Sequence, residues 1–188
     1  ENLITTGGGA QDARIDGGMQ SVVEARARSI RDRLRLEHVV VGIEQKSASV
    51  RVHIRERESL EAKRVIVAIP PALASRIHYS PALSPLRDQL TQRVPMGTVI
   101  KCFAVYEEPF WRGRGLSGQG VFDEGVVQAC FDNSPRDASC GMLVGFSLAN
   151  RARPLLGMSQ EERRELVLES FARAFGPEAR APKRYLDK

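Results

Sequence analysis

Val99-Ile100-Lys101-Cys102-Phe103-Ala104-Val105-Tyr106 contains neither glycine nor proline and is rich in β-branched and aromatic residues. That composition predicts a strand. One charge interrupts it. Side chains alternate across a strand, so Lys101 shares a face with Val99, Phe103 and Val105. The chain changes character near Val94, and further strands are expected over residues 120–122, 126–131 and 142–148. Asp123-Glu124-Gly125 and Asp132-Asn133-Ser134-Pro135 supply the turns between them, which predicts an antiparallel sheet. Beyond it, Ser159 and Glu162 have capping-box spacing. Leu166, Val167, Phe171 and Phe175 then line one face of a helix closed by Gly176-Pro177.

Upstream, Ser84-Pro85 pairs a capping hydroxyl with a first-turn proline and opens a short helix that runs to about Arg93. Residues 63–69 form a continuous apolar run stopped by Pro70-Pro71, which reads as a central strand whose end opens into a ligand-holding loop. Residues 36–43, a polar turn and the alternating Val50, Val52, Ile54 predict a hairpin. Met19, Val22, Val23, Ala27, Ile30 and Leu34 recur at three- and four-residue intervals, as on a helix of about four turns. Gly7, Gly8 and Gly9 mark a segment where backbone comes close to something. The fold class is α+β. The start at Glu1, without a methionine, and the end at Tyr185-Leu186-Asp187-Lys188, without a strand or helix signal, read as an internal fragment.

Composition narrows the function. With 42% hydrophobic and 27% charged residues the chain is globular and not disordered. No apolar run reaches the roughly 20 residues of a membrane span, and Glu1-Asn2-Leu3-Ile4-Thr5-Thr6 has neither the basic start nor the apolar stretch of a signal peptide. The net charge of +5 is spread among interspersed acids, unlike the one-sided basic stripe of a nucleic-acid binder. Cys102, Cys130 and Cys140 are odd in number and lack metal-ligand spacing, so neither a disulfide framework nor a metal site is expected, and a cytoplasmic location fits. His38, His53 and His78 are scattered without a nucleophile beside them, which argues against a hydrolytic triad.

Five stretches resemble the flavin-containing monoamine oxidases, including their bacterial members. They are Gly9-Ala10-Gln11 with Gly17-Gly18; Ala68-Ile69-Pro70-Pro71; Arg93-Val94-Pro95-Met96-Gly97-Thr98-Val99-Ile100-Lys101-Cys102; Glu108-Pro109-Phe110-Trp111; and Gly145-Phe146-Ser147-Leu148-Ala149. They fall in family order. The resemblance implies an interleaved plan: residues 1–14 end one substrate-domain stretch, residues 15–90 are part of the FAD-binding domain, and residues 91–188 return to the substrate-binding domain. It also implies oxidative deamination of an amine to an aldehyde, with ammonia and hydrogen peroxide released and oxygen as acceptor. Amino-acid or polyamine substrates on the same plan, or a non-catalytic binding module that keeps the scaffold, are the alternatives. Expected partners are the amine, oxygen and the enzyme's remaining N- and C-terminal segments, with a homo-oligomer allowed.

Lys101, read from its strand alone, is either a buried lysine that needs a partner or an edge residue reaching water. The resemblance gives it a catalytic role, holding a water against the flavin. Ile4, Gln11, Ala129, Phe131 and Phe146 match residues lining the amine cavity, and Ala129 stands where the mammalian enzymes carry a tyrosine. Val40 matches a residue whose backbone holds the adenine of FAD, and Ala68, Ile69 and Pro70 match the segment near the cofactor. No cysteine matches the one bonded to flavin in some members.

FAD is not expected to bind this chain tightly. Its pyrophosphate is normally gripped at a helix N-terminus after a glycine-rich turn that follows a first strand, and Gly7-Gly8-Gly9 neither follows a strand nor opens a helix. A backbone contact at Val40 contributes about 0.5–1.5 kcal/mol net, whereas micromolar affinity needs about 8 kcal/mol. Titration of the purified chain with FAD, followed by flavin fluorescence, is expected to show no sub-micromolar binding and no peroxide release with amines.

Overall fold

A computed structural model describes Gly8, Ala13 and residues 15–188 of the chain. The elements in order are α1 (Met19–Ser29), β1 (Val40–Gln45), β2 (Val50–Ile54), β3 (Leu60–Ala62), α2 (Pro71–Ala74), β4 (His78–Ser80), α3 (Pro85–Arg93), β5 (Val99–Tyr106), β6 (Gly120–Val121), β7 (Ala129–Asp132), β8 (Gly141–Leu148), α4 (Ala149–Ala152), α5 (Gln160–Phe175) and β9 (Arg184–Asp187). Short 3-10 turns lie between several of them. Two compact units result, Glu1–Pro95 and Met96–Lys188.

In the first unit β1 to β4 form one sheet in the order β3-β2-β1-β4. The predicted hairpin is its centre: β1 and β2 pair antiparallel, with an irregularity between Val40 and Gly42. β4 adds alongside β1 in parallel. Ser84 caps α3, its hydroxyl accepting from the backbone N–H of Arg87, with Pro85 in the first turn. Two expectations need correction. Helix α1 ends at Ser29, short of the predicted four turns, and none of its residues is buried. Residues 63–69 are not a strand at all. A strand exists only through its ladder, and here β2 pairs with residues 60–62 while β1 takes β4. Ile66 is 90% exposed.

The second unit is a five-stranded sheet, order β6-β7-β8-β5-β9, with α5 across one face. Every strand pairing in it is antiparallel. β5 has the bounds expected from sequence, and its period-two alternation sorts the side chains. Ile100, Cys102, Ala104 and Tyr106 are buried in the core, whereas Val99 and Lys101 are exposed. From β8, Gly141, Leu143, Gly145 and Ser147 join the inner face. From α5 come Val167, Leu168, Phe171, Ala172 and Phe175. Gly145 is required by this packing, because a Cβ there would lie 2.9 Å from the Phe171 ring. The predicted capping box opens α5, with the Ser159 side chain accepting from the Glu162 backbone and the Glu162 carboxylate accepting from the Ser159 backbone. Trp111 is fully buried beside Tyr106, Phe110 and Phe175, and its indole N–H donates to Asp132 at 2.9 Å.

The chain's last residues are a strand, contrary to the expectation that they carry no element. β9 pairs with β5, placing Tyr185 and Asp187 on the inner face opposite Ala104 and Cys102. Its sequence is too short and too polar to announce a strand; an ion pair and an already formed edge hold it there. Asp187 accepts from Arg163 of α5 at 2.8 and 3.0 Å. The Asp187 side chain is only 3% exposed.

Phe171 fills the space between α5 and the sheet and is fully buried. Phe171→Ala is expected to destabilise the second unit by about 3–5 kcal/mol. Urea unfolding followed through Trp111 fluorescence, the chain's single tryptophan, measures the loss.

Candidate functional site

The sheet's outer face collects four of the residues singled out from sequence. Register does this directly: Lys101 of β5 lies opposite Phe146 of β8, and Phe146 lies opposite Ala129 of β7. Directly opposed residues in an antiparallel pair share a face. Phe131 sits two positions along β7, opposite Val144, and its ring meets that of Phe146 edge-on at a centroid distance of 6.1 Å. Lys101, Ala129, Phe131 and Phe146, which span 46 positions of sequence (146 − 101 = 45 steps), thus form one patch.

The backbone explains the closeness of Lys101 to Phe146. Lys101 directs both its N–H and its C=O to Lys188, at 2.9 and 3.1 Å, on the β9 side. Its pairing with Phe146 is therefore the non-hydrogen-bonded kind, in which side chains approach most closely. The Lys101 ammonium lies 5.4 Å from the centre of the Phe146 ring and 5.2 Å from that of Phe103. Of the two readings its strand allowed, buried or reaching water, exposed Lys101 takes the second: the face it shares with Val99 and Phe103 is the one α5 does not cover. Among the described residues no carboxylate forms an ion pair with it. The two rings stabilise the cation through their negative faces and take up none of the directed hydrogen bonds an ammonium makes to oxygen, so its three donors remain available.

Phe103 is the site residue that the sequence reading missed. Its i, i+2 spacing from Lys101 was the available signal. Val144 was missed too; it lies under the rings on this face and is 6% exposed. The thiols beneath the sheet take no part. Burial pushes Cys102 up to about 11 and Cys130 up to about 12, so both stay protonated and un-nucleophilic near neutral pH.

The proposed cofactor contacts lie in the first unit. Val40 begins β1 where the hairpin register shifts. Ala68 and Ile69 are exposed, and Pro70 caps α2, its carbonyl accepting from Leu73 and Ala74 at 2.9 and 3.0 Å. Ile4 and Gln11 lie outside the described residues. No group of three or more potential metal ligands, and no helix long and apolar enough to cross a membrane, occurs among the described residues.

The family model described as flavin containing amine oxidoreductase matches residues 1–188, and the chain belongs to that family. It is 41% identical over 182 residues to the protein named probable flavin-containing monoamine oxidase A of Dictyostelium discoideum, covering 96% of this chain and 40% of that one. It is 40% identical over 189 residues to flavin-containing amine oxidase B of Sus scrofa, covering 99% of this chain and 36% of that one. Among solved structures, putrescine oxidase bound to putrescine superposes with a TM-score of 0.85 at 39% identity, over 91% of this chain and 38% of that one. Cyclohexylamine oxidase from Brevibacterium oxydans gives 0.85 at 31% identity with the same coverage. The chain thus spans about two fifths of the length of the relatives it matches.

Proposed function

We propose that this chain is the part of an FAD-dependent amine oxidase that carries the amine-facing sheet, with residues 15–90 belonging to the cofactor domain and residues 91–188 to the substrate domain. The observation that supports it best is the cross-strand row Ala129, Phe146, Lys101, with Phe103 and Phe131 beside it. When bound, the flavin supplies the redox chemistry, accepting a hydride equivalent from the amine's α-carbon and passing electrons to oxygen. Val40 and the loop of Ala68, Ile69 and Pro70 are the residues that would hold it.

The residues of the face have separate tasks. Lys101 keeps its donors free for a water and places a positive charge where oxygen is to gain electrons, an electrostatic role of the preorganised kind. Phe131 and Phe146 form an aromatic wall, and Ala129 leaves room beside it. Ile4 and Gln11 are assigned to the same cavity. Burial of an amine against such a wall disfavours its ammonium form and leaves the neutral amine, the reactive species. The strand positions of this face carry no carboxylate, and a diamine needs one to receive its second ammonium. An apolar monoamine therefore suits the wall better than a polyamine. The full-length protein is placed in the cytoplasm, free or as a homo-oligomer, with no part for nucleic acid.

In the full-length protein, Lys101→Met is expected to slow reoxidation by oxygen on the order of a hundredfold while leaving reduction by amine within a few fold. Stopped-flow traces of the two half-reactions measure this, and equal slowing of both contradicts the assignment. Phe146→Ala is expected to raise KM about tenfold for phenethylamine and far less for butylamine, in keeping with partial loss of an aromatic wall worth about 1.4 kcal/mol. A fall in Tm with an unchanged amine ranking would assign Phe146 to packing alone.

A further inference from the structure

We infer that the Arg163–Asp187 pair is a positioning device for Lys101, an inference that rests on the reading of Lys101 as the residue assisting oxygen. The pair lies on the opposite side of the sheet from the lysine. It acts through the strand between them.

The backbone of Lys101 has one partner. Because the N–H and C=O of a single strand residue point the same way, Lys101 makes both of its ladder bonds to Lys188 and none to β8. On that side its main chain is held by Lys188, the residue after β9. Among the described residues that strand pairs with β5.

Asp187, the neighbour of Lys188, is the anchor. Arg163 donates to its two carboxylate oxygens from Nε at 2.8 Å and Nη2 at 3.0 Å, and from Nη1 to the Met158 carbonyl at 2.6 Å. The Tyr185 hydroxyl donates to the same carboxylate at 3.2 Å. A bidentate guanidinium–carboxylate pair fixes direction as well as distance, and this one is nearly closed to solvent, with side-chain exposures of 21% for Arg163 and 3% for Asp187. Arg163 stands in the first turns of α5, which the capping box and the core lock in place. The route is therefore continuous: α5 holds Arg163, Arg163 holds Asp187, Asp187 is bonded in the chain to Lys188, and Lys188 takes both backbone hydrogen bonds of Lys101. A packing role alone would be met by an apolar pair, so the buried charges serve geometry in preference to stability.

The test uses the full-length, flavin-loaded protein in four forms: unaltered, Asp187→Asn, Lys101→Met and the double variant. Asp187→Asn is expected to speed hydrogen exchange in the peptide containing the Lys101 amide and to slow reoxidation about tenfold, short of the hundredfold that a misplacement of ~1 Å can cost. Reduction by amine is expected to stay within about twofold. In the Lys101→Met background the same change is expected to slow reoxidation no further, since the group it positions is gone. Faster exchange and a lower Tm with unaltered reoxidation would make the pair purely structural and overturn the inference. Equal slowing in both backgrounds overturns it as well. If Asp187→Asn does not fold, Arg163→Lys, which keeps the charge but loses the fork, is measured by the same double-variant comparison. A silent Lys101→Met would instead overturn the underlying reading of the lysine, so the two failures are distinct.

Discussion

The antiparallel pairing of β5 with β8 is the constraint on which the second unit depends. It runs unbroken from Val99 opposite Leu148 to Tyr106 opposite Gly141. A shift of one residue would turn Ile100, Cys102 and Ala104 outward and drive Lys101 into the core against α5, at the cost of an unpaired buried charge. The same register therefore enforces two things at once. It makes the core on one face and gathers the lysine and aromatic rings on the other.

Charges are distributed in keeping with that division. Paired charges anchor the periphery: Arg163 with the nearly buried Asp187 at the β9 edge, and exposed Arg112 with Asp132 at 2.7 Å beside Trp111. Bonding to Arg163 holds Asp187 below the usual carboxylate range. For a carboxylate depressed on folding, the stabilisation is present above the unfolded value near 4 and is lost as pH falls through the lower folded value. These anchors thus operate throughout the neutral range. Lys101 differs from them in facing rings, with no carboxylate counterpart among the described residues, which leaves its charge and donors directed outward from the sheet.

Family membership and geometry bear on different questions. The match over residues 1–188 establishes the family. The sheet face adds what a family name does not contain: small Ala129 beside two phenyl rings that meet edge-on. The first unit contributes a hairpin start at Val40 and an open loop at residues 68–70.

Wherever local chemistry sufficed, the sequence was legible. Two-residue alternation in β5, the Ser159 capping box and Ser84-Pro85 ahead of α3 are settled within a few neighbouring residues, and each appears in the structure where it was expected; the hairpin forms as well, with its first strand at Val40–Gln45 and not at residues 36–43. The features that needed partners distant in sequence were misread. Residues 63–69 are as apolar as a central strand but have no ladder among the described residues, whereas Arg184–Asp187 looks like a loose end and becomes a strand because β5 and Arg163 are there to receive it. Likewise, alternation alone put Lys101 on a face with Phe103, but which face α5 covers is a matter of packing, and so is the exposure of the lysine. Composition and period are short-range properties that the sequence determined by itself. Pairing, register and burial depend on contacts between distant segments, and only the tertiary structure decided them.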